Sequence, residues 1–238
     1  MTIVINDKYK DLKNFIHTIP DSFETSGEVI YDERNKLKAY SIAGKEIVVK
    51  SFKIPIFLNR IIYTFFRASK AKRSYKYAFR LLENNISTPE PIAYIEHKRW
   101  GLLCKSYYIS IYEKETSHVR QVMSGETYDE NLIKAVAKLT AEMHSKGIFH
   151  RDISPGNILF RIKENQYTFF VIDINRMVFR ESIPEEDRYD SFKRLTCDSK
   201  VIDCLGQEYA RCAGLDPDKT VRKIKKACGN FFGKEIGL

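Results

Sequence analysis

The chain has 238 residues, of which 43% are hydrophobic, 30% charged and 13% aromatic. That usage excludes a disordered chain and leaves room for one domain of two lobes or for two small domains. A formal net charge of +9 points to an anionic partner, whether nucleotide, phospholipid, acidic glycan or nucleic acid, and carries no information about fold. The five cysteines, Cys104, Cys197, Cys204, Cys212 and Cys228, form no CxxC pair and have no His at ligand spacing. A zinc site is therefore not expected, and the odd number argues against a disulfide framework. The opening MTIVINDKYKDLKNF is charged from its seventh residue and does not read as a secretion signal. No stretch reaches the ~18 apolar residues of a spanning helix, so the expected location is the cytoplasm, with membrane contact only from that side.

Residues 22–53 hold three β-like runs, GEVIYDE, KLKAYSI and EIVVKSF, separated by the turn-prone ERN and AGKE; they predict three consecutive antiparallel strands. Residues 56–84 lack Gly and Pro and mix apolar with basic side chains, which predicts one or two helices ending before NISTPEP. PIAYIEH and KSYYISIY then complete a small sheet. From about Tyr128 the pattern turns helical, with Leu132, Val136, Leu139 and Met143 at spacings of four, three and four and Gly147 as a stop signal. NILFRI, KENQ and YTFFVID predict a hairpin, and the remainder to Leu238 reads mainly as helix. The expectation is an α+β chain: one domain with a small antiparallel-sheet lobe carrying one inserted helix over 1–113, and a mainly helical lobe over 114–238. That element order is the two-lobed order of protein-kinase-like enzymes.

Phosphoryl transfer from ATP needs a Lys on the phosphates, oxygen ligands for Mg²⁺ and a carboxylate near the incoming hydroxyl. HRDISPGN, residues 150–157, matches H-R-D-x-x-x-x-N without a gap, which makes Asp152 the candidate base and Asn157 a candidate metal ligand. Pro155 and Gly156 favour a tight loop between them. Arg151 is read as structural or substrate-orienting, and His150 as packing beneath the loop. Asp173 ends the apolar run YTFFVID, where it would bind Mg²⁺ bridging the phosphates; Ile-Asn follows it in place of Phe-Gly. Lys50, in IVVKSF, is the candidate phosphate Lys on the third strand. Two parts are weak. The first hairpin offers only Gly27 in place of a Gly-rich loop, and the inserted helix has no acid before Glu83 to pair with Lys50.

These residues, together with SKAKRSYKYAFRLLENNISTPEPIAYIE, KSYYISIY and VIDINRM, resemble the lipopolysaccharide kinase family, the Kdo and core-heptose kinases, in the form found in Bacteroides-like bacteria. The similarity runs from about Lys50 to Met177, with STPEP and DINRM its more specific parts. It implies that Lys50, Asp152, Asn157 and Asp173 serve ATP and magnesium, and that the acceptor is a sugar hydroxyl of the lipopolysaccharide inner core, on lipid A-core at the cytoplasmic face of the inner membrane. Relatives usually carry Glu where this chain has Ser74 or Lys76, so the customary Lys-Glu pair cannot form there. A Lys76 turned toward Lys50 would be repulsive; either the helix rotates to offer Glu83, or the ATP site is tuned differently, or activity is reduced.

Between Phe52 and Leu82 the chain has eight Lys or Arg and no Asp or Glu, interleaved with aromatics. This predicts a basic face able to rest on anionic lipid as a peripheral contact; single-stranded nucleic acid is the less favoured occupant. Two rivals stand beside the kinase of the lipopolysaccharide core. One keeps the fold and changes the acceptor: a small Ser/Thr protein kinase, or an aminoglycoside- or choline-type phosphotransferase. The absence of an APE segment after Asp173 counts against a regulated protein kinase. The other is a catalytically weak, kinase-like lipid- or nucleic-acid-binding module.

Overall fold

The computed structural model describes residues 1–33, 35–53, 67–164 and 166–237, which group into two compact units, Met1–Lys114 and Glu115–Leu238. Part of the basic aromatic stretch, residues 54–66, lies outside the described residues, so the helix expected from residue 56 is seen only over Lys70–Glu83.

The first unit is a six-stranded antiparallel sheet. Its strands are β1 (Thr2–Ile5), β2 (Glu28–Asp32), β3 (Asn35–Ile42), β4 (Lys45–Phe52), β5 (Pro91–Arg99) and β6 (Leu102–Ile111), in the order β1-β5-β6-β4-β3-β2. The five strands expected from β-like runs between turn-prone residues are present. The sixth, β1, is a four-residue apolar run that pairs with β5 and is too short to announce itself by periodicity. After β1 come a 3-10 turn (Asp7–Leu12) and helix α1 (Lys13–Ser22), which contains Pro20. β-branched residues and that proline mask the helical pattern of α1. It forms because it covers the sheet: Tyr9, Leu12, Ile16, Ile19 and Phe23 pack on Ile47, Val49, Ile95, Tyr107 and Ile109 in one buried cluster.

Alternation along β4 sends Ile47 and Val49 into that core and turns Lys50 and Phe52 to the opposite face. There helix α2 (Lys70–Glu83) packs, with Ala71 and Tyr75 against Phe52, Tyr94 and Tyr108. Ser69 caps α2 by accepting a hydrogen bond from the Lys72 amide. Ala71, Ser74, Ala78 and Leu81 form its buried stripe, at the three- and four-residue spacings of a packed helix face. Lys76, by contrast, is exposed. The repulsion that a Lys76 turned toward Lys50 would bring does not arise: it is Ser74, 3% exposed, that occupies the inward position. Glu83 is exposed at the last position of α2, and the helix has not rotated to bury it. Gly27 also differs from expectation. It lies before β2 at φ +79°, where a Cβ would meet the Tyr40 ring at 2.4 Å, so it seats a packed ring at the entry to the strand.

The second unit opens with a two-residue strand β7 (Ser117–His118) and a short helix α3 (Arg120–Met123). Helix α4 (Glu130–Ser145) follows, capped by Asp129, whose side chain accepts from the Leu132 amide. All four residues of its predicted stripe are buried. Strand β8 (Ile148–His150), a 3-10 turn (Pro155–Asn157) and the hairpin of β9 (Ile158–Lys163) and β10 (Gln166–Val171) come next, then a 3-10 turn (Ile174–Arg176), β11 (Met177–Phe179) and helices α5 (Glu185–Asp190), α6 (Ser199–Ala213) and α7 (Pro217–Phe232). The tail is mainly helical as expected, except for β11, which pairs with β8. Strands of three residues have no period to read, and only their non-local pairing makes them strands.

Candidate active site

In the second unit the chain is brought to HRDISPGN by a turn that requires glycine. Gly147 has φ +68°, and a Cβ there would lie 1.8 Å from the Arg180 carbonyl oxygen; the Arg180 amide in turn donates to Gly147 O at 2.9 Å. This close approach starts the β8–β11 pairing, in which His150 faces Met177. The strand pair thus lays the catalytic-looking loop beside the segment that follows Asp173.

His150 is 1% exposed and locks the loop from beneath. Its Nδ1 accepts from the Asp152 amide at 3.1 Å, so the ring proton is on Nε2, which donates to Ile172 O at 3.1 Å. Burial pushes its pKa down, partly opposed by the Ile172 carbonyl and the nearby Asp173 and Asp152, and the imidazole is neutral. Asn157 adds two bonds. Its Nδ2 donates to Asp152 O at 2.8 Å, and its carbonyl accepts from the Ile172 amide at 3.0 Å. Because the amide nitrogen is used inward, the Asn157 Oδ1 is left for a ligand.

Asp173 has φ 55° and ψ 41°, the left-handed region that costs a non-glycine residue about 1 kcal/mol and is tolerated best by Asp and Asn. Such outliers concentrate at functional sites. The Asp173 Oδ1 accepts from Asn175 Nδ2 at 2.7 Å, and Asn175 is itself buried. The Asp173 carboxylate and the Asn157 amide oxygen, on segments joined by the Ile172 to Asn157 backbone bond, are hard oxygen donors. They suit Mg²⁺, which takes few protein ligands and completes its shell with phosphate and water. Among the described residues no group of three or more His, Cys, Asp or Glu could hold a metal ion.

The Asp152 carboxylate is engaged at both oxygens. Arg176 Nη1 donates to Oδ2 at 2.9 Å and Arg194 Nη1 to Oδ1 at 3.1 Å. Arg120 lies over Gly156, where a Cβ would come within 2.6 Å of its Nη2; Arg151 is exposed beside Asp152. Sequence reading missed Arg194 altogether, since nothing local marks a residue 42 positions from its partner. Arg176 and Asn175 were visible inside DINRM but carried no assigned role.

The fourth predicted residue, Lys50, belongs to the first unit. It sits mid-strand in β4, opposite Leu37 of β3 and Tyr108 of β6, with Nζ 5.4 Å from the Phe52 ring centroid. Lys70, at the first turn of α2, has its Nζ 5.9 Å from the same ring. A second cation therefore shares the Lys50 face, and no sequence motif marked it.

An antiparallel sheet with a helix packed on each face, followed by a mainly helical unit bearing the HRD loop and the hairpin that ends at Asp173, has the element order of a protein-kinase-like fold. The solved structure described as WaaP in complex with acyl carrier protein superposes with a TM-score of 0.66 over 98% of this chain and 100% of that one, at 17% identity. No curated protein matches the sequence. The sequence model of the lipopolysaccharide kinase (Kdo/WaaP) family matches residues 32–214. The chain belongs to that family, whose members are phosphotransferases.

Proposed function

We propose that this protein transfers the γ-phosphoryl group of ATP to a hydroxyl of Kdo or heptose in the lipopolysaccharide inner core. The observation that carries this reading is the interlocked placement of Asp152, Asn157 and Asp173 by His150 and by the Asn157 amide. Asp152 accepts the proton of the sugar hydroxyl as its oxygen bonds to the γ-phosphorus and the bond to ADP breaks. Asn157 and Asp173 would hold magnesium, which when bound would neutralise charge on the phosphates. Lys50, with Lys70 beside the same ring, binds phosphate oxygens. Incubation with labelled ATP, magnesium and a membrane lipid extract, with Asp152→Asn in parallel, tests the reading. Label in lipopolysaccharide that vanishes in the variant is the expected result. Label on polypeptide alone would replace this reading with a protein kinase.

A cytoplasmic location, peripheral on the inner membrane, follows from an acceptor held there. No helix among the described residues is long and apolar enough to cross a membrane. Support for surface contact comes from Trp100, 88% exposed at the tip of the β5–β6 hairpin, next to Lys98 and Arg99. An indole flanked by cations suits the headgroup region of anionic lipid. Sedimentation with anionic vesicles at low salt, lost in Trp100→Ala, checks this; equal sedimentation of both proteins would remove the hairpin from that role. The neighbour's complex makes an acyl carrier protein a further candidate partner, to be checked by co-purification.

A further inference from the structure

Two guanidinium groups converge on one carboxylate, and the charges do not cancel. Arg176 and Arg194 bring two positive charges to the single negative charge of Asp152, and among the described residues neither arginine is ion-paired with any other carboxylate. Beside the group that receives the acceptor hydroxyl, two guanidinium groups thus share one carboxylate, with Asp173 the other negative group near His150. Fold stability does not account for it: the arginine side chains are 54% and 40% exposed, and pairs this exposed contribute little. Arg194 is nevertheless placed with care, its guanidinium 5.1 Å from the centroid of Phe231 on α7, which supports the flat group at the edge of the loop. Arg120 over Gly156 adds a third guanidinium to the same loop. Planar forks of this kind match a carboxylate or phosphate through paired hydrogen bonds, a role an ammonium group fills poorly.

We propose that Arg176 and Arg194 form an acceptor subsite that takes a sugar bearing an anionic group, a carboxylate or a phosphate ester, next to the hydroxyl to be phosphorylated. Without acceptor, the Asp152 carboxylate itself occupies the forks, and its 18% exposed side chain has both oxygens engaged. The acceptor's anion takes over one or both arginines and releases an Asp152 oxygen to its own hydroxyl. A neutral sugar or a water molecule brings no such anion, and the base stays engaged. Specificity is thus built into the pairing that holds the base.

This inference rests on the kinase reading, and the experiment separates the two. The acceptor is deacylated inner-core oligosaccharide in three forms: intact, with its carboxyl groups reduced to alcohols, and phosphatase-treated. Transfer from ATP is measured for the wild type, Arg176→Gln, Arg194→Gln and Arg194→Lys, with thermal midpoints confirming that each is folded. For the wild type, one of the two treatments raises the acceptor KM at least tenfold and thereby identifies the anion. Each Gln variant raises the KM for intact acceptor at least tenfold while the ATP KM stays within twofold; Arg194→Lys lies between. With the neutralised acceptor the variants and the wild type converge. Indifference of the wild type to both treatments, or a rise in ATP KM in place of acceptor KM, overturns the subsite while leaving the kinase reading intact. No transfer by the wild type to any form overturns both.

Discussion

The two candidate binding regions are built in opposite ways. In the first unit Lys50 projects from the middle of a strand paired on both sides, and Lys70 from the first turn of a capped helix, both over the Phe52 ring. In the second unit Asp152, Asn157, Asp173 and Arg176 ride on loops and 3-10 turns held by His150 and by side-chain bonds to backbone. A regular element presents a mobile ammonium that can meet any phosphate oxygen. An interlocked loop fixes angles as well as distances, as proton transfer and fork-shaped recognition require. Damage to the first region should therefore appear as weaker nucleotide binding, and damage to the second as lost turnover.

The sharpest contrast comes from Asp152→Asn, which should slow transfer roughly 10² to 10⁴ fold with ATP affinity nearly unchanged. Steady-state kinetics beside an ATP titration checks it, and a loss below tenfold would remove Asp152 as base. His150→Ala should come next. It strands the Ile172 carbonyl and the Asp152 amide, at about 1–3 kcal/mol for each buried group left unpaired. The displaced loop should lose on the order of 10² in kcat, a drop that persists at temperatures where circular dichroism shows the variant folded. Lys50→Met should act through binding, raising the ATP KM by roughly 10 to 100 fold, the equivalent of one charge-assisted hydrogen bond of about 1.5–3 kcal/mol. Lys70→Met should do the same more weakly. A fall in kcat with unchanged ATP KM in either lysine variant would break the comparison.

The smallest effect expected is on acid stability, and it falls in the second unit. His144 is buried against Tyr209, its Nδ1 2.8 Å from the hydroxyl, and burial pushes its pKa down to about 3, with Arg188 adding to the shift. The unfolded chain binds this proton near pH 6.5 and the folded chain does not, so stability falls as pH drops from 6.5 toward 3. Between pH 7 and 5 the loss is roughly 2 kcal/mol, read from urea midpoints. His144→Gln keeps a partner for Tyr209 but cannot titrate, and should flatten that fall.

Strands β2 to β6 were legible as β-rich runs bounded by turn-prone residues, and Lys50 because it occupies a defined place on β4. α1 was hidden by Pro20 and β-branched residues, and its helix exists for the sheet face it covers. Asp152, Asn157 and Asp173 were legible as a spaced motif. The contacts that give the motif its shape were only partly so: the packing of His150 was expected, but its two bonds join a loop to a strand end 22 residues away. Arg194 was not legible at all. It reaches Asp152 through the packing of α5, α6 and α7, and tertiary contacts of that kind leave no local pattern.

Phosphate addition to the lipopolysaccharide inner core is the activity proposed for this chain. It is tested most directly by the phosphate content of core oligosaccharide from cells lacking the gene, complemented with the wild type or with Asp152→Asn and analysed by mass spectrometry. One phosphate should be missing in the deletion, restored by the wild type and not by the variant, on a sugar hydroxyl next to an anionic group. Identical phosphorylation in all three strains would contradict it.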